Sequence, residues 1–166
     1  MRTVKVGLIG LGTVGSGVVE IFERHSEDFA RRAGVDIELV RFADRNEARA
    51  ADLDLPAGSF TNDGADIIND PEIDIVIELI GGTGIAREVV LSALAAGKSV
   101  VTANKALMAT HGQEVMDAAA GHGVDIMFEA SVGGGIPIIS PLKHCLVSNQ
   151  VETVMGIVNG TTNYML

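Results

Sequence analysis

Three glycines in the stretch GLGTVG (Gly10, Gly12 and Gly15) form a G-x-G-x-x-G pattern between an apolar run and a helical pattern. Such a turn can hold a pyrophosphate. Gly10 permits the tight turn, Gly12 lets a phosphate approach the backbone, and Gly15 lets helix and strand pack closely. The start of the helix adds free N–H groups and the positive end of its dipole. With a strand before it and a helix after it, the motif reads as a dinucleotide site. The alternative is a glycine turn that serves helix packing alone. An acid is expected after the second strand, to bind a ribose. Asp44 stands there, 29 positions beyond Gly15, where about 20 is usual; a long first helical segment accounts for the excess. Asp44 on a 2′-hydroxyl favours NAD, whereas its neighbour Arg45 on a 2′-phosphate favours NADP. Both cofactors stay open.

Ligands of open α/β sheets bind beyond the carboxyl ends of the strands, so the later loops matter. These are ELIGG with Gly81, TANKALMAT with Thr102, Asn104 and Lys105, and EASVGGGIP with Glu129. Lys105 follows a buried strand directly, which places its amine beside the nicotinamide end of a dinucleotide; the alternative is a surface charge at a helix start. In the last loop, consecutive glycines allow carbonyl groups to turn inward around a ligand or cation, or they serve as a flexible turn between domains.

The elements that position these residues alternate. Val4 to Ile9 reads as a strand, and a helical pattern runs from Thr13 to His25 and on irregularly to Gly34. Strands follow at Ile37 to Ala43, Ile73 to Ile80, SVVTA and VDIMFEA. Between them lie short helices in DRNEARAADLDLP and GADIINDP, and longer ones in IAREVVLSALAAGK and GQEVMDAAAGHG. PIISPLKHCLVSNQ reads as a helix, Val151 to Val158 as a strand, and Thr161-Thr162 as the cap of a further helix. This alternation predicts an α/β fold, a Rossmann-like doubly wound parallel sheet with right-handed crossovers.

Composition narrows the function. The chain of 166 residues is 47% apolar, enough for one domain with a sizeable core. A formal charge of −10 argues against nucleic acid or an anionic membrane as partner. One cysteine, Cys145, cannot form an internal disulfide and is expected to be a buried small hydrophobe, which suits a reducing cytoplasm. The N-terminus enters a strand at once, so a signal peptide is not expected. The four histidines are not spaced as ligands on one helix face, so a transition-metal site is not expected.

Taken together, GLGTVG, GKSVVTANKALMA, EASVGGGIPII and GIVNGTTNYML resemble the homoserine dehydrogenase family, in that order and across essentially the whole chain. The last three motifs are far more specific than the glycine turn. The resemblance implies an NAD(P)-binding domain over residues 1–136, with 137–166 as the junction and start of a substrate and dimerisation domain. It implies interconversion of L-homoserine and L-aspartate 4-semialdehyde with NADP or NAD, on the route to threonine, methionine and isoleucine. It also implies a homodimer for the full-length enzyme.

Residue by residue, the resemblance puts Lys105 near cofactor and substrate, in binding or proton handling. Thr13 and Val14 line the pyrophosphate or nicotinamide side, and Gly160 and Thr161 lie near the nicotinamide. A sodium ion is implied at Glu129 and the carbonyls of Val132, Gly134 and Ile136, oxygen donors that suit a hard cation. A second lysine and the acids that hold the substrate amine fall beyond the NGTTNY helix and are absent from this sequence. The chain alone is therefore expected to be inactive, and a short non-catalytic dinucleotide-binding module is the alternative. One departure is Gly84-Ile85, where the family commonly has Glu-Pro; it removes a pre-set φ at a helix start.

Overall fold

The computed structural model describes residues 2–156. Its core is a six-stranded, all-parallel sheet in the order β3-β2-β1-β4-β5-β6. The strands are β1 (Thr3–Ile9), β2 (Asp36–Ala43), β3 (Phe60–Thr61), β4 (Ile75–Glu78), β5 (Ser99–Thr102) and β6 (Ile126–Met127). The helices are α1 (Thr13–Ala33), α2 (Glu47–Ala51), α3 (Gly64–Ile68), α4 (Ile85–Ala95) and α5 (Lys105–His122). The order reverses between β1 and β4. That switch point opens a crevice at the carboxyl edge.

Central strands are buried on both faces, which is why β1 is apolar over Val6, Leu8 and Ile9 without polar alternation. Residue parity then sorts two cores. Ile9, Ala43, Val76 and Val100 pack with Ile67, Ile68, Val90, Leu94, Leu107 and Val115 from α3, α4 and α5. Leu8 and Phe42 point the other way, onto Val19 of α1 and Leu11. α1 breaks at His25 (φ −128°, ψ 15°) and resumes until Gly34 closes it in the left-handed region, φ 72°. At the amino edge, buried Lys98 donates Nζ–H bonds to the carbonyls of Asp70 (2.6 Å) and Ile73 (2.7 Å). Burial pushes this amine below the ordinary lysine range against the pull of Asp70 and Asp74.

Several expectations change. α5 begins at Lys105, so TANKALMAT is mostly helix rather than loop. The Asn104 side chain caps that helix by accepting from Leu107 N, and Leu107 drops straight into the core. Phe60–Thr61 adds a strand the pattern missed, two residues being too few to show a period. Of PIISPLKHCLVSNQ, only residues 139–145 are helical, running into a five-residue π-helical turn at Pro141–Cys145, and Glu129 caps the start by accepting from the amides of Ile138, Ile139 and Ser140. Residues 151–156 carry no strand. They are exposed and unpaired among the described residues, and a strand needs a ladder partner to exist. The remainder of that expected strand, Gly160, Thr161 and the helix cap lie outside the described residues. Cys145 is exposed, not buried, because the turn that carries it packs on little.

A side chain at Gly15 would collide with the glycine turn: its Cβ would stand 1.9 Å from the Gly10 carbonyl oxygen. Gly15→Ala is expected to cost about 2–3 kcal/mol or more, read as a lowered urea midpoint. Gly17→Ala, one turn-face away with nothing within 4 Å, is expected to leave stability equal or raise it by up to ~1 kcal/mol.

Candidate functional site

The glycine turn runs from the end of β1 into α1. Gly10 has φ +105°, a conformation side chains avoid, and its N–H donates to Ala43 O at 2.8 Å, tying the turn to β2. Gly12 is the N-cap of α1, with ordinary φ of −70° and no side-chain cap. Space above it is open; the nearest atom to an added Cβ would be Arg49 Nη1, at 3.9 Å. Thr13 and Val14 stand exposed at the first turn of α1, where no acid competes for the dipole. An anion therefore meets bare N–H groups there.

Asp44 closes the other side of this turn. It is 9% exposed, at the end of β2. Its Oδ2 accepts from Leu11 N at 2.7 Å and from Arg49 Nη1 at 3.1 Å, and its Oδ1 accepts from Asn46 N at 2.8 Å. Burial pushes the carboxyl up, but the amides of Asn46 and Leu11 and the Arg49 guanidinium outweigh it and hold it below the ordinary aspartate range. The basic partner of Asp44 is thus Arg49, on α2. Sequence reasoning picked out Arg45 and missed Arg49; the signal available was a five-residue step on a helix that turns back over the strand end.

Gly10, Asp44, Arg45 and Arg49 line one cavity of about 380 Å³, with Asn62, Asp63, Leu79, Ile80, Ile85 and Glu88 on its other walls. It sits at the switch point between β1 and β4 and is deep enough for an adenosine-sized group. Gly81, Thr102, Asn104 and Lys105 do not line it; they gather beyond β4 and β5. There, fully buried Glu78 accepts from Thr102 Oγ1 at 2.7 Å, Ile80 N at 2.8 Å and Gly81 N at 3.3 Å. Asn104 donates its Nδ2–H to Gly82 O at 2.7 Å, and Ser131 Oγ–H reaches Thr102 O at 3.1 Å. Thr102 and Asn104 thus spend their side chains on shaping the loops. Lys105, by contrast, is exposed at the first position of α5, with no hydrogen bond or ion pair among the described residues. Glu78 also escaped sequence reasoning, although an acid ending an apolar strand was its signal.

Glu129 closes the third loop. Its Oε1 accepts from Ile138 N (2.6 Å) and Ile139 N (2.9 Å), and its Oε2 from Ser140 N (2.6 Å). Within the loop, Gly133 and Gly134 have φ of +73° and +62°. Gly133 O accepts from Ile136 N, whereas the carbonyls of Val132, Gly134 and Ile136 accept no backbone N–H among the described residues. No group of three or more His, Cys, Asp or Glu side chains is placed to hold a metal among those residues. Any cation here would rest on backbone oxygens.

The Ile138 amide bond holds the Glu129 carboxyl below its ordinary value of 4.5; burial opposes it, and the Ser140 and Ile139 amides add to it. A carboxyl lowered in the folded state stabilises fully above that ordinary value, and the contribution is lost as pH falls through the lower folded value. Protease nicking between residues 130 and 140 is therefore expected to rise as pH drops below that ordinary value and through the lower folded one. Glu129→Gln should nick faster than the parent at neutral pH, and the gap should narrow in acid. A gap that widens in acid would contradict this.

Comparison with known proteins converges. A family model described as "Homoserine dehydrogenase, NAD binding domain" matches residues 10–129, and one described as "Homoserine dehydrogenase" matches 137–166. The chain is 48% identical to a homoserine dehydrogenase of Pseudomonas aeruginosa and 44% identical to one of Bacillus subtilis, over all of this chain and 38% of each relative. A crystal structure of a homoserine dehydrogenase from Thiobacillus denitrificans superposes with TM-score 0.89 at 50% identity, covering 99% of this chain and 38% of that one. A hyperthermophilic archaeal homoserine dehydrogenase in complex with NADPH superposes with TM-score 0.68 at 26% identity, covering 85% of this chain and 48% of that one. The chain thus spans less than half the length of each of these relatives, and within that span it belongs to the homoserine dehydrogenase family.

Proposed function

We propose that this chain forms the cofactor-holding part of an enzyme that interconverts L-homoserine and L-aspartate 4-semialdehyde with NADP or NAD. The observation that carries the reading is that buried Asp44, which lines the cavity with Gly10, is tied through the Leu11 amide to the open Gly12 position and the bare start of α1. A pyrophosphate there takes the N–H groups of the turn, with Thr13 and Val14 alongside. Asp44 or its basic neighbours take the ribose. The reduced cofactor, when bound, supplies the hydride that adds to the aldehyde carbon.

The chain's own contribution to the chemistry is Lys105. Its Nζ, without a hydrogen bond or ion pair among the described residues, offers positive charge to the carbonyl oxygen and a proton to the alkoxide that forms. Gly81, Thr102 and Asn104 hold the loop ends around it, and Gly160, outside the described residues, is assigned to cofactor binding by the family resemblance alone. The carbonyls of Val132, Gly134 and Ile136, which accept no backbone N–H among the described residues, offer oxygen donors to a sodium ion with Glu129 beside them. Residues 1–136 form the dinucleotide domain in this reading, and 137–166 begin the substrate and dimerisation domain of a cytoplasmic homodimer.

Titration calorimetry of the chain with NADP⁺ and NAD⁺ tests this. At least one is expected to bind, and Gly12→Val is expected to weaken binding by about tenfold or more while the melting temperature stays within a few degrees. Binding of neither nucleotide would sink the proposal. Homoserine oxidation is expected from the longer gene product and not from the 166 residues alone; Lys105→Ala in that longer product should lower kcat by about a hundredfold or more. Nucleotide binding with no turnover in either form would favour the non-catalytic module.

A further inference from the structure

We propose that Arg49 is the residue that decides whether this site accepts a 2′-phosphorylated dinucleotide, standing as an exchangeable partner between the Asp44 carboxylate and an incoming 2′-phosphate. The inference rests on the dinucleotide reading above and concerns its specificity. Three features support it. First, Arg49 lies where the ribose must pass: Nη1 is 3.1 Å from Asp44 Oδ2 and 3.9 Å from the position a Cβ on Gly12 would take. It therefore spans the ribose-binding acid and the phosphate turn.

Second, the two partners are held very differently. The Asp44 side chain is 7% exposed and fixed by the Leu11 and Asn46 amides, whereas the Arg49 side chain is 51% exposed. A half-exposed ion pair contributes little, so the guanidinium can turn toward another anion at small cost. Asp44 would keep both amide bonds when it does. Of the five guanidinium donors, only one is engaged among the described residues.

Third, charge makes the arginine necessary for one cofactor only. The cavity also carries Asp63 and Glu88. A 2′-phosphate, bearing about −1.5 to −2, would meet this acidic wall and the Asp44 carboxylate unshielded if Arg49 were absent. A 2′-hydroxyl meets no such repulsion and can donate to Asp44 Oδ1, which holds a single bond from Asn46 N. Arg45 lines the same cavity but makes no hydrogen bond there among the described residues. Arg49 thus both shields Asp44 and offers donors to the phosphate.

The experiment measures dissociation constants of NADP⁺, NAD⁺, adenosine 2′,5′-bisphosphate and 5′-AMP for the parent chain, Arg49→Ala, Arg49→Lys and Arg45→Ala, each checked by circular dichroism. Arg49→Ala is expected to move the NADP⁺/NAD⁺ ratio toward NAD⁺ by about tenfold or more, with the fragment pair shifting in parallel. Arg49→Lys should fall between, because it keeps the charge and loses the fork. NADP⁺ binding to the parent should also weaken more steeply with salt than NAD⁺ binding, a difference that Arg49→Ala removes. If Arg49→Ala does not fold, the Arg49→Lys ratio and the parent's salt dependence decide. Equal weakening of both cofactors, an unmoved ratio, or a shift caused by Arg45→Ala instead overturns the assignment while leaving the dinucleotide reading intact. A parent chain that binds neither nucleotide overturns both.

Discussion

One carboxylate joins the parts of this fold that must agree for a dinucleotide to bind. Asp44 leaves the end of β2, reaches the Leu11 amide in the glycine turn, and receives the Asn46 amide from its own side. Gly10 reinforces the tie through its bond to Ala43. The turn between β1 and α1 is therefore set by β2 as much as by its own glycines. A buried carboxylate without donors would be costly; here every donor it gathers is also a positional constraint on the crevice.

The carboxyl edge is divided into two workshops of different character. Around Asp44 the surface is open, charged and served by a half-exposed arginine side chain. Around Glu78 it is closed, with the buried acid accepting from the Thr102 hydroxyl and the Ile80 amide and the Asn104 side chain donating to Gly82 O. The first arrangement suits recognition of a polar ligand. The second suits holding loops still, so that the exposed Lys105 starts α5 from a fixed point.

Sequence periodicity recovered the parallel sheet because its buried strands and amphipathic α1 each carry long, unmixed signals. It also located Gly10, Gly12, Gly15 and Asp44, since backbone shape demands particular residue types there. It failed where side chains act across space. Arg49 reaches Asp44 only because α2 folds back over β2, and Glu129 reaches the 138–140 amides across a loop; neither relation has a local period. The expected helix in PIISPLKHCLVSNQ forms only over residues 139–145, with Glu129 capping its start from across the loop. The two-residue β3 and the early start of α5 were missed for lack of length and for a cap read as a loop.

The break at His25 gives α1 two lengths that need not keep step. The half nearest the turn is fixed by Gly15 against Gly10 and by Val19 in the core; the half beyond His25 answers to Gly34 and to the Phe22–Phe29 edge contact. A residue gained or lost in the second half would rotate that half without turning the first. The 29-residue interval from Gly15 to Asp44 is then a quantity evolution can stretch. Recognising such sites by a fixed count between glycines and acid would pass over chains built like this one, whereas asking which strand end the acid occupies would not.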